Sequence, residues 1–257
     1  MSDEYGPSVH TYLGSGGPVG FAHRGGASVH PENTRRAFQH AVDLGFCYLE
    51  TDVHVTSDGV LVAFHDDVLD RVTDGSGRIA DLPWSEVVAA RVGGTEPILR
   101  LDELLEGFPD AHINIDPKSN EAVQALAATI RSLGVEDRVC VTAFSRRRTR
   151  QVKRLVGPAL CTGGGALATL AAMIGLGRRL LARDVDVLQV PPRFGPLPVV
   201  TRRFVENAHR WGMHVHVWTI DEPAEMERLL DLGVDGIMTD EPERLCRVFA
   251  ARGLSLR

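Results

Sequence analysis

The stretch "ETDVHVTSDGVLVAFHDD" (residues 50–67) places charged side chains where a buried strand is expected to be apolar. Its first half alternates polar residues with threonine and valine, the polar ones being Glu50, Asp52 and His54. A turn at "TSDG" follows, and the apolar run behind it ends at His65. Parallel neighbours need a crossover of a dozen or more residues, so these two runs are predicted to pair as an antiparallel hairpin.

Outside this hairpin, β-rich runs alternate with helical patterns along most of the chain. The runs predicted as strands are 19–24, 47–53, 61–66, 112–117, 138–144, 159–163, 185–191, 214–220 and 235–240. Without the second hairpin strand, eight strands remain in 257 residues. This predicts an α/β fold, a TIM (β/α)8 barrel with a small hairpin and loop insertion after the second strand. An open doubly wound sheet is the alternative.

The boundaries of this domain follow from the same pattern. Residues 18–257 are predicted to form the single barrel domain, and residues 66–110, which carry no clear βα unit, are interpreted as an elaborated loop on it. Residues 1–17 are predicted to be a flexible polar N-terminal arm. Because this start lacks the basic and apolar regions of a signal peptide, a cytoplasmic location is expected.

Composition excludes some classes of function. Hydrophobic residues make up 44% and charged residues 24%, as in ordinary globular proteins. The net charge of -6 argues against general nucleic-acid binding but leaves an anionic small molecule open, because local positive groups decide that. The longest apolar stretch, 165–177, is too short to span a bilayer, and it predicts a buried helix or loop cover rather than an interfacial helix.

The cysteines add little chemistry of their own. They are widely separated and form no CxxC pair. Such cysteines are most simply buried free thiols in a reducing compartment. The four residues concerned are Cys47, Cys140, Cys161 and Cys246.

Three carboxylates are predicted to converge at the carboxyl ends of strands. Glu50 and Asp52 face the same way because side chains alternate along a strand, and Asp116 ends the polar row of "HINIDP". Like charges at close range need a partner, and an all-oxygen set of ligands favours Mg²⁺ or Ca²⁺ over zinc. The alternative is that these carboxylates form salt bridges with arginines.

Two histidines and two cations complete the predicted site. His23 and His65 each end an apolar run, which makes an acid–base pair plausible beside the carboxylates. Arg24 and Lys118 could hold a phosphate, the former through its planar guanidinium and the latter as a point charge. The simpler interpretation makes the histidines polar residues at the rim and the cations counter-ions of the carboxylates.

These motifs, in this order, resemble the glycerophosphodiester phosphodiesterase family. The resemblance rests on "AHRGG", "PENT", the stretch 50–67, "NIDPK", "VHVWTID" and "LGVDGIMTD", and it extends over residues 19–242. It implies a TIM barrel that hydrolyses glycerophosphodiesters to sn-glycerol 3-phosphate and an alcohol.

The resemblance also implies roles for individual residues. The acid–base pair would be His23 and His65. The ligands of one divalent cation, Mg²⁺ or Ca²⁺, would include Glu50 and Asp52. The groups that contact phosphate would be Arg24 and Lys118.

Other positions match the family less closely. The third metal ligand is commonly a glutamate, whereas "NIDPK" offers Asp116, which is one methylene shorter and leaves the identity of the metal open. Trp218 matches an aromatic position and is expected to form a wall of the substrate site or to pack in the lumen. Glu32 of "PENT" is expected to orient a neighbouring site residue. For His54, a loop contact is favoured over a ligand role.

Three other functions remain as alternatives. A lysophospholipase D could use the same site, with the apolar segment 190–200 as an acyl groove or, alternatively, as a rigid lid. A catalytically silent binding barrel and a phosphoinositide phospholipase C-like reaction are less favoured. The expected partner is a small-molecule phosphodiester, with weak contact to lipid-like substrates and without nucleic acid or a transmembrane segment; the oligomeric state is left open.

Overall fold

The protein folds into a closed barrel of parallel strands. The computed structural model describes residues 10–14, 17–176 and 184–256. The strands are β1 (Val19–Ala22), β2 (Tyr48–Val55), β3 (Leu61–Ala63), β4 (Arg91–Val92), β5 (Glu96–Pro97), β6 (His112–Pro117), β7 (Val139–Val141), β8 (Cys161–Gly164), β9 (Val187–Val190), β10 (Arg193–Phe194), β11 (Leu197–Pro198), β12 (His214–Val217) and β13 (Gly236–Thr239).

Helices surround this barrel. The α-helices of the described residues are α1 (Arg35–Asp43), α2 (Trp84–Val87), α3 (Leu101–Gly107), α4 (Ala122–Leu133), α5 (Arg146–Val156), α6 (Ala166–Ile174), α7 (Arg202–Arg210), α8 (Pro223–Leu232) and α9 (Pro242–Ala251). Short 3-10 turns span Thr11–Leu13, His23–Gly25 and Ile79–Asp81.

The barrel closes through eight parallel strands in the order β1-β2-β6-β7-β8-β9-β12-β13, with β13 pairing back to β1. The TIM-barrel prediction is therefore confirmed, and the open sheet is excluded. Because all eight strands run in one direction, their carboxyl ends meet at one mouth of the barrel, where barrel enzymes hold their functional groups.

The predicted hairpin is also confirmed. Strand β3 pairs antiparallel with β2, with Val53 opposite Ala63 and Val55 opposite Leu61. The insertion that follows has an apolar cluster of its own, which is separate from the main core and includes Leu69, Ile79 and Val87. The insertion therefore packs around its own apolar cluster next to the hairpin. It contains α2, β4 and β5 but no βα unit.

Local signals explain where the helix after β1 begins. The side chain of Thr34 accepts a hydrogen bond from the amide of Ala37 and thereby caps the first turn of α1. Its hydroxyl donates to the carbonyl of Pro31 at 2.7 Å. "PENT" thus forms the start of α1. The amide of Asn33 donates to the carbonyl of Arg24 at 2.8 Å, which holds the loop that follows His23.

The N-terminal arm differs from its prediction where it is described. Residues 1–9 and 15–16 of the predicted arm lie outside the described residues, but Thr11–Leu13 form a 3-10 turn. Tyr12 is 1% exposed and packs edge-to-face on Tyr48, whose hydroxyl donates to the carbonyl of Tyr12 at 2.8 Å. A polar-looking arm proved partly buried because its two apolar residues cover the amino end of the barrel.

The apolar stretch 165–177 also differs from its prediction. Helix α6 buries its alanines, whereas Leu167, Leu170 and Ile174 remain about half exposed. The helix is therefore neither fully buried nor a loop cover. In the described residues, the model contains no helix that is long and apolar enough to cross a membrane.

All four cysteines are free thiols, as predicted. Cys140 and Cys161 are fully buried and lie opposite each other on β7 and β8. Their lack of a disulfide despite this pairing agrees with the expectation of structural thiols.

Candidate active site

Strands β2 and β6 bring the three predicted carboxylates together. The strands pair in parallel with Asp52 opposite Asp116, and Glu50 lies two residues before Asp52 on the same face. Glu50 is 4% and Asp52 3% exposed. Burial, reinforced by the charge of Asp52, raises the pKa of Glu50 to about 7, and burial also raises the pKa of Asp116. The raised pKa values mean that the ionised forms of Glu50 and Asp116 are destabilised in this cluster.

The loop after β1 folds its backbone around this cluster. The amide of Arg24 donates to Glu50 Oε2 at 3.0 Å, and Arg24 Nε lies 3.3 Å from Asp52 Oδ2. Arg24 adopts a left-handed conformation with φ 53°, and Gly25 follows with φ 85°. A Cβ atom at Gly25 would lie 2.9 Å from the amide nitrogen of Phe38. Glycine is thus required here for the loop to reach the carboxylates.

His23 lies between two carboxylates. Its Nδ1 is 2.8 Å from Asp240 Oδ1, and its Nε2 is 3.8 Å from Glu50 Oε2. Burial lowers the pKa of His23, but the charges of Glu50 and Asp240 outweigh this effect, and the pKa is raised. Asp240 directly follows β13, which closes the barrel beside β1, so barrel closure itself supplies this partner.

His65 is oriented by a chain of charged side chains. Its Nδ1 lies 2.6 Å from Asp66 Oδ1, and Asp66 pairs in turn with Arg71. Hydrogen bonding to Arg71 lowers the pKa of Asp66 to about 2. Arg71 also donates to Glu32 at 2.7 Å, and Glu32 accepts from Arg24 at 3.2 Å. The chain therefore joins His65 to the arginine that faces the carboxylate cluster.

Lys118 forms ion pairs with two of the three carboxylates. Its Nζ is 2.6 Å from Asp52 Oδ1 and 3.0 Å from Asp116 Oδ2. Burial lowers the pKa of Lys118, but the charges of Asp52 and Asp116 outweigh burial, so the pKa is raised and the ammonium stays charged. In this arrangement Lys118 compensates the cluster, which is the simpler of the two roles that the sequence allowed.

The donor chemistry of the cluster nevertheless fits a divalent cation. Asp116 Oδ1 is buried without a hydrogen-bond partner, and Asp52 Oδ2 has only the ion pair with Arg24 Nε at 3.3 Å. Buried carboxylate oxygens without donors, in an all-oxygen set, are the ligands that Mg²⁺ and Ca²⁺ prefer. Within the described part of the chain, however, no three His, Cys, Asp or Glu residues are already spaced as a metal site. Carboxylate movement away from Lys118 would be needed to bind the ion.

Trp218 lies at the mouth beside an aromatic residue that sequence analysis did not single out. Phe144, in the loop after β7, packs edge-to-face on Trp218 with ring centroids 5.8 Å apart. Phe144 is 80% exposed, whereas Trp218 is partly buried. The two rings form an apolar wall that is open to solvent on one side.

A neutral hydrogen-bonded layer lies one step deeper in the lumen. Gln189 donates to Asn114 Oδ1 at 2.9 Å and contacts His216 Nδ1 at 3.4 Å, while Asn114 donates to Thr142 at 3.2 Å. Burial lowers the pKa of His216 to about 3. His216 is therefore neutral at physiological pH.

His54 takes the loop contact that the sequence favoured. Its Nε2 lies 3.0 Å from the carbonyl oxygen of His65, on the other strand of the hairpin. It thereby holds the backbone at which His65 leaves β3. Burial lowers the pKa of His54.

Three residues that the sequence pattern did not predict complete the site: Asp66, Arg71 and Asp240. Asp66 follows His65 directly, but adjacency did not indicate that its carboxylate turns back onto the imidazole. Asp240 ends the last strand, like the predicted carboxylates, so the strand-end signal was present. Its partner His23 lies 217 residues away along the chain, and only barrel closure shows the pairing.

Comparisons with known proteins agree with this geometry. The model of the glycerophosphoryl diester phosphodiesterase family matches residues 23–244. The chain is 41% identical to a probable glycerophosphodiester phosphodiesterase of Mycobacterium tuberculosis, over 98% of each protein. It is 28% identical to a lysophospholipase D of Rattus norvegicus, over 87% of this chain and 83% of that protein.

Among solved structures, a phosphodiesterase of Oleispira antarctica in complex with the product sn-glycerol-3-phosphate superposes with a TM-score of 0.80. It is 25% identical and covers 91% of this chain and 97% of its own. A structure from Silicibacter pomeroyi, described as a glycerophosphoryl diester phosphodiesterase, gives a TM-score of 0.81 at 26% identity, covering 98% of this chain and 100% of its own. With its closed barrel and its charged mouth, the chain belongs to the glycerophosphoryl diester phosphodiesterase family and is a phosphoric diester hydrolase.

Proposed function

We propose that the protein is a metal-dependent phosphodiesterase that hydrolyses glycerophosphodiesters to sn-glycerol 3-phosphate and an alcohol. The observation that carries this proposal is the buried cluster of Glu50, Asp52 and Asp116, which meets two cations and lies below a carboxylate-oriented histidine. The catalytic domain would comprise residues 18–257.

The cation would be Mg²⁺ or Ca²⁺, held by Glu50, Asp52 and Asp116. When bound, it supplies positive charge that stabilises the phosphoryl oxygens as negative charge grows on them. Two buried oxygens that no hydrogen bond satisfies, Asp116 Oδ1 and the Asp52 Oδ2 that pairs only with Arg24, support this assignment. Arg24 and Lys118 lie on the same carboxylates, and they would turn part of their positive charge to the phosphate once the ion compensates the cluster.

His23 and His65 would transfer the protons. In each histidine Nδ1 lies against a carboxylate, Asp240 or Asp66, and this leaves Nε2 to face the substrate. One imidazole takes the proton of the nucleophilic hydroxyl. Attack by water gives sn-glycerol 3-phosphate directly, whereas attack by the neighbouring glycerol hydroxyl gives a cyclic phosphate, which water then opens. The other imidazole donates a proton to the oxygen of the leaving alcohol, so that the alcohol departs neutral.

The glycerol end of the substrate would lie against Trp218 and Phe144. Their edge-to-face pair provides an apolar wall at the mouth, next to the charged cluster that would hold the phosphate. The product complex of the Oleispira antarctica phosphodiesterase, which contains sn-glycerol-3-phosphate, supports a substrate of this class. The two buried, unbridged thiols on β7 and β8 support a reducing, cytoplasmic compartment.

A lysophospholipase D is the second candidate. The observation that favours it is the exposed apolar rim of the mouth, where Phe144 is 80%, Phe194 76% and Leu197 54% exposed. An acyl chain could lie on these side chains while the same phosphate site binds the headgroup. Segment 190–200 contains the short β10–β11 hairpin, in which Phe194 pairs with Leu197.

The test compares two substrates with chelator-stripped protein. Glycerophosphocholine and lysophosphatidylcholine are assayed in parallel, before and after Mg²⁺ or Ca²⁺ is added. Ion-dependent release of sn-glycerol 3-phosphate from glycerophosphocholine is the expected result. Turnover of the lysolipid alone would move the function to the second candidate, and no turnover of either substrate with any ion would overturn the proposal.

A further inference from the structure

Exposed apolar side chains concentrate on one side of this barrel. Among the described residues, seven of the eight large hydrophobic side chains that are exposed lie between residues 144 and 197. Single exposed hydrophobic residues are ordinary, but such a concentration marks an interaction surface. The seven are Phe144, Leu167, Leu170, Ile174, Leu176, Phe194 and Leu197.

Helix α6 carries the centre of this surface. Leu167, Leu170 and Ile174 follow one another at helical spacing and are 52%, 50% and 50% exposed. The opposite face, which packs on the barrel, consists of buried alanines. Large side chains thus face solvent while small ones face the core, the reverse of the arrangement that burial favours in a helix without a partner.

Helix α5 carries a basic row with the same spacing. Arg147, Arg150 and Arg154 are exposed, and α5 as a whole contains six basic residues and no acidic one. Arg150 pairs with Asp184 at 3.5 Å, whereas no ion pair of Arg147 or Arg154 occurs in the described part of the chain. A row of this charge is unexpected in a chain whose net charge is -6.

The two helices approach each other at their starts. They follow β7 and β8, which pair directly, so both run away from the mouth in the same direction. At their starts, a Cβ atom on Gly165 would be 3.4 Å from the carbonyl oxygen of Phe144 and 3.7 Å from Arg146 Cβ. A cleft of about 1000 Å³ extends along α5, and four of its arginines line it.

We propose that this face, formed by the exposed rows of α5 and α6, docks the protein on an anionic lipid surface. Apolar side chains beside a basic row match the two attractions of such a surface, which are acyl burial and negative headgroup charge. A second copy of the chain is the other candidate occupant. The basic row of α5, which has no acidic residue beside it in the helix, is complementary to negative headgroups, and this favours the lipid.

Docking of this kind would hold the mouth of the barrel at the membrane. Phe144, which belongs to the apolar surface, also packs on Trp218, so the surface is continuous with the rim of the active site. The proposal does not depend on the proposed function, because vesicle binding is measured without turnover.

The experiment is vesicle co-sedimentation of the full chain. Vesicles of phosphatidylcholine alone are compared with vesicles that contain phosphatidylglycerol, at low and at high salt. Two double variants address the surface, Arg147→Glu with Arg154→Glu, and Leu167→Ser with Leu170→Ser. The control, Arg210→Glu with Arg247→Glu, makes the same charge change at exposed positions on α7 and α9.

We expect wild type to sediment with the anionic vesicles at low salt and to be released at high salt. Each surface variant should bind at least tenfold more weakly, since every basic residue near such a surface contributes roughly fivefold in affinity. A leucine side chain that is buried among acyl chains contributes at least as much. The control should bind like wild type, and all variants should keep wild-type turnover of glycerophosphocholine.

Three results would overturn the proposal. The first is binding of the surface variants that equals that of wild type, and the second is no binding of wild type to anionic vesicles. The third is a concentration-dependent dimer, seen by sedimentation velocity, that the Leu167 and Leu170 substitutions dissociate without any vesicle binding. This third result would assign the face to a contact between copies of the chain.

Discussion

Each of the two histidines of this site is oriented by a carboxylate. His23 takes Asp240 as its partner across the closing strand pair, and His65 takes its own neighbour Asp66. A carboxylate on Nδ1 fixes both the tautomer and the orientation of an imidazole, which keeps Nε2 available for proton transfer. Substitution of Asp240 removes one of these partners.

Asp240→Asn should lower kcat on glycerophosphocholine by about 100-fold with a smaller change in KM, because an amide can hold His23 in the wrong tautomer. The pH–rate profile should shift as well, since the raised pKa of His23 depends in part on the charge of Asp240. Glu241→Gln, which makes the same charge change one residue later, is the control. Equal kcat for Asp240→Asn and wild type would remove Asp240 from a positioning role.

His216 should make the fold sensitive to acid. Its pKa is about 3 in the folded state because of burial, whereas in the unfolded chain it is about 6.5. Below pH 6.5 the unfolded state therefore binds one proton more, and the free energy of unfolding falls by about 1.4 kcal/mol per pH unit down to pH 3.

Urea unfolding at pH 7.5 and pH 5 measures this effect. His216→Gln should lose about 2 kcal/mol less than wild type between these values. His209→Gln is the control of opposite sign. A hydrogen bond to Asp235 raises the pKa of His209, so its contribution is present at pH 5 and lost as pH rises through that pKa. Identical pH dependence of wild type and His216→Gln would contradict the buried neutral imidazole.

At the scale of elements, the turn Thr11–Leu13 closes the amino end of the barrel. Tyr12 packs edge-to-face on Tyr48 and on His112, with centroid distances of 5.5 and 5.6 Å. Its hydroxyl is buried without a hydrogen-bond partner. Ring packing therefore stabilises this contact, while the hydroxyl contributes nothing to it.

Tyr12→Ala should lower the free energy of unfolding by about 3 kcal/mol, as expected for loss of a large buried ring. Tyr12→Phe should be neutral or slightly stabilising, because it removes only the unpartnered hydroxyl. Both variants should keep glycerophosphocholine turnover, since the turn lies at the end of the barrel opposite the mouth. Thermal unfolding measures the difference, and equal melting temperatures for the Ala variant and wild type would show that the turn does not hold the barrel.

At the scale of the whole molecule, the carboxylate cluster links ion binding to stability. Glu50 and Asp52 lie on β2, and Asp116 lies on the neighbouring strand β6. An ion between them therefore bridges two strands that separate on unfolding. An ion that binds only the folded state adds about 2.7 kcal/mol at a hundred times its Kd.

Mg²⁺ or Ca²⁺ at millimolar concentration should therefore raise the Tm of chelator-stripped protein by roughly 5 to 10 °C. Asp116→Asn should reduce this shift strongly, because it removes one negative ligand. Asp67→Asn is the matched control, since Asp67 is exposed and pairs with Arg78 outside the cluster. No shift in wild type with any divalent ion would count against the metal site.

The sequence by itself determined the barrel and most of the charged side chains at its mouth. Strand alternation and turn chemistry act over a few residues, so the hairpin at β2 and β3 and the shared face of Glu50 and Asp52 could be predicted from local pattern. Tertiary structure alone decided the partner of His23, the position of Lys118 on the carboxylates and the solvent exposure of α6. These depend on contacts between residues far apart in sequence, which exist only once the eight strands have closed into a ring.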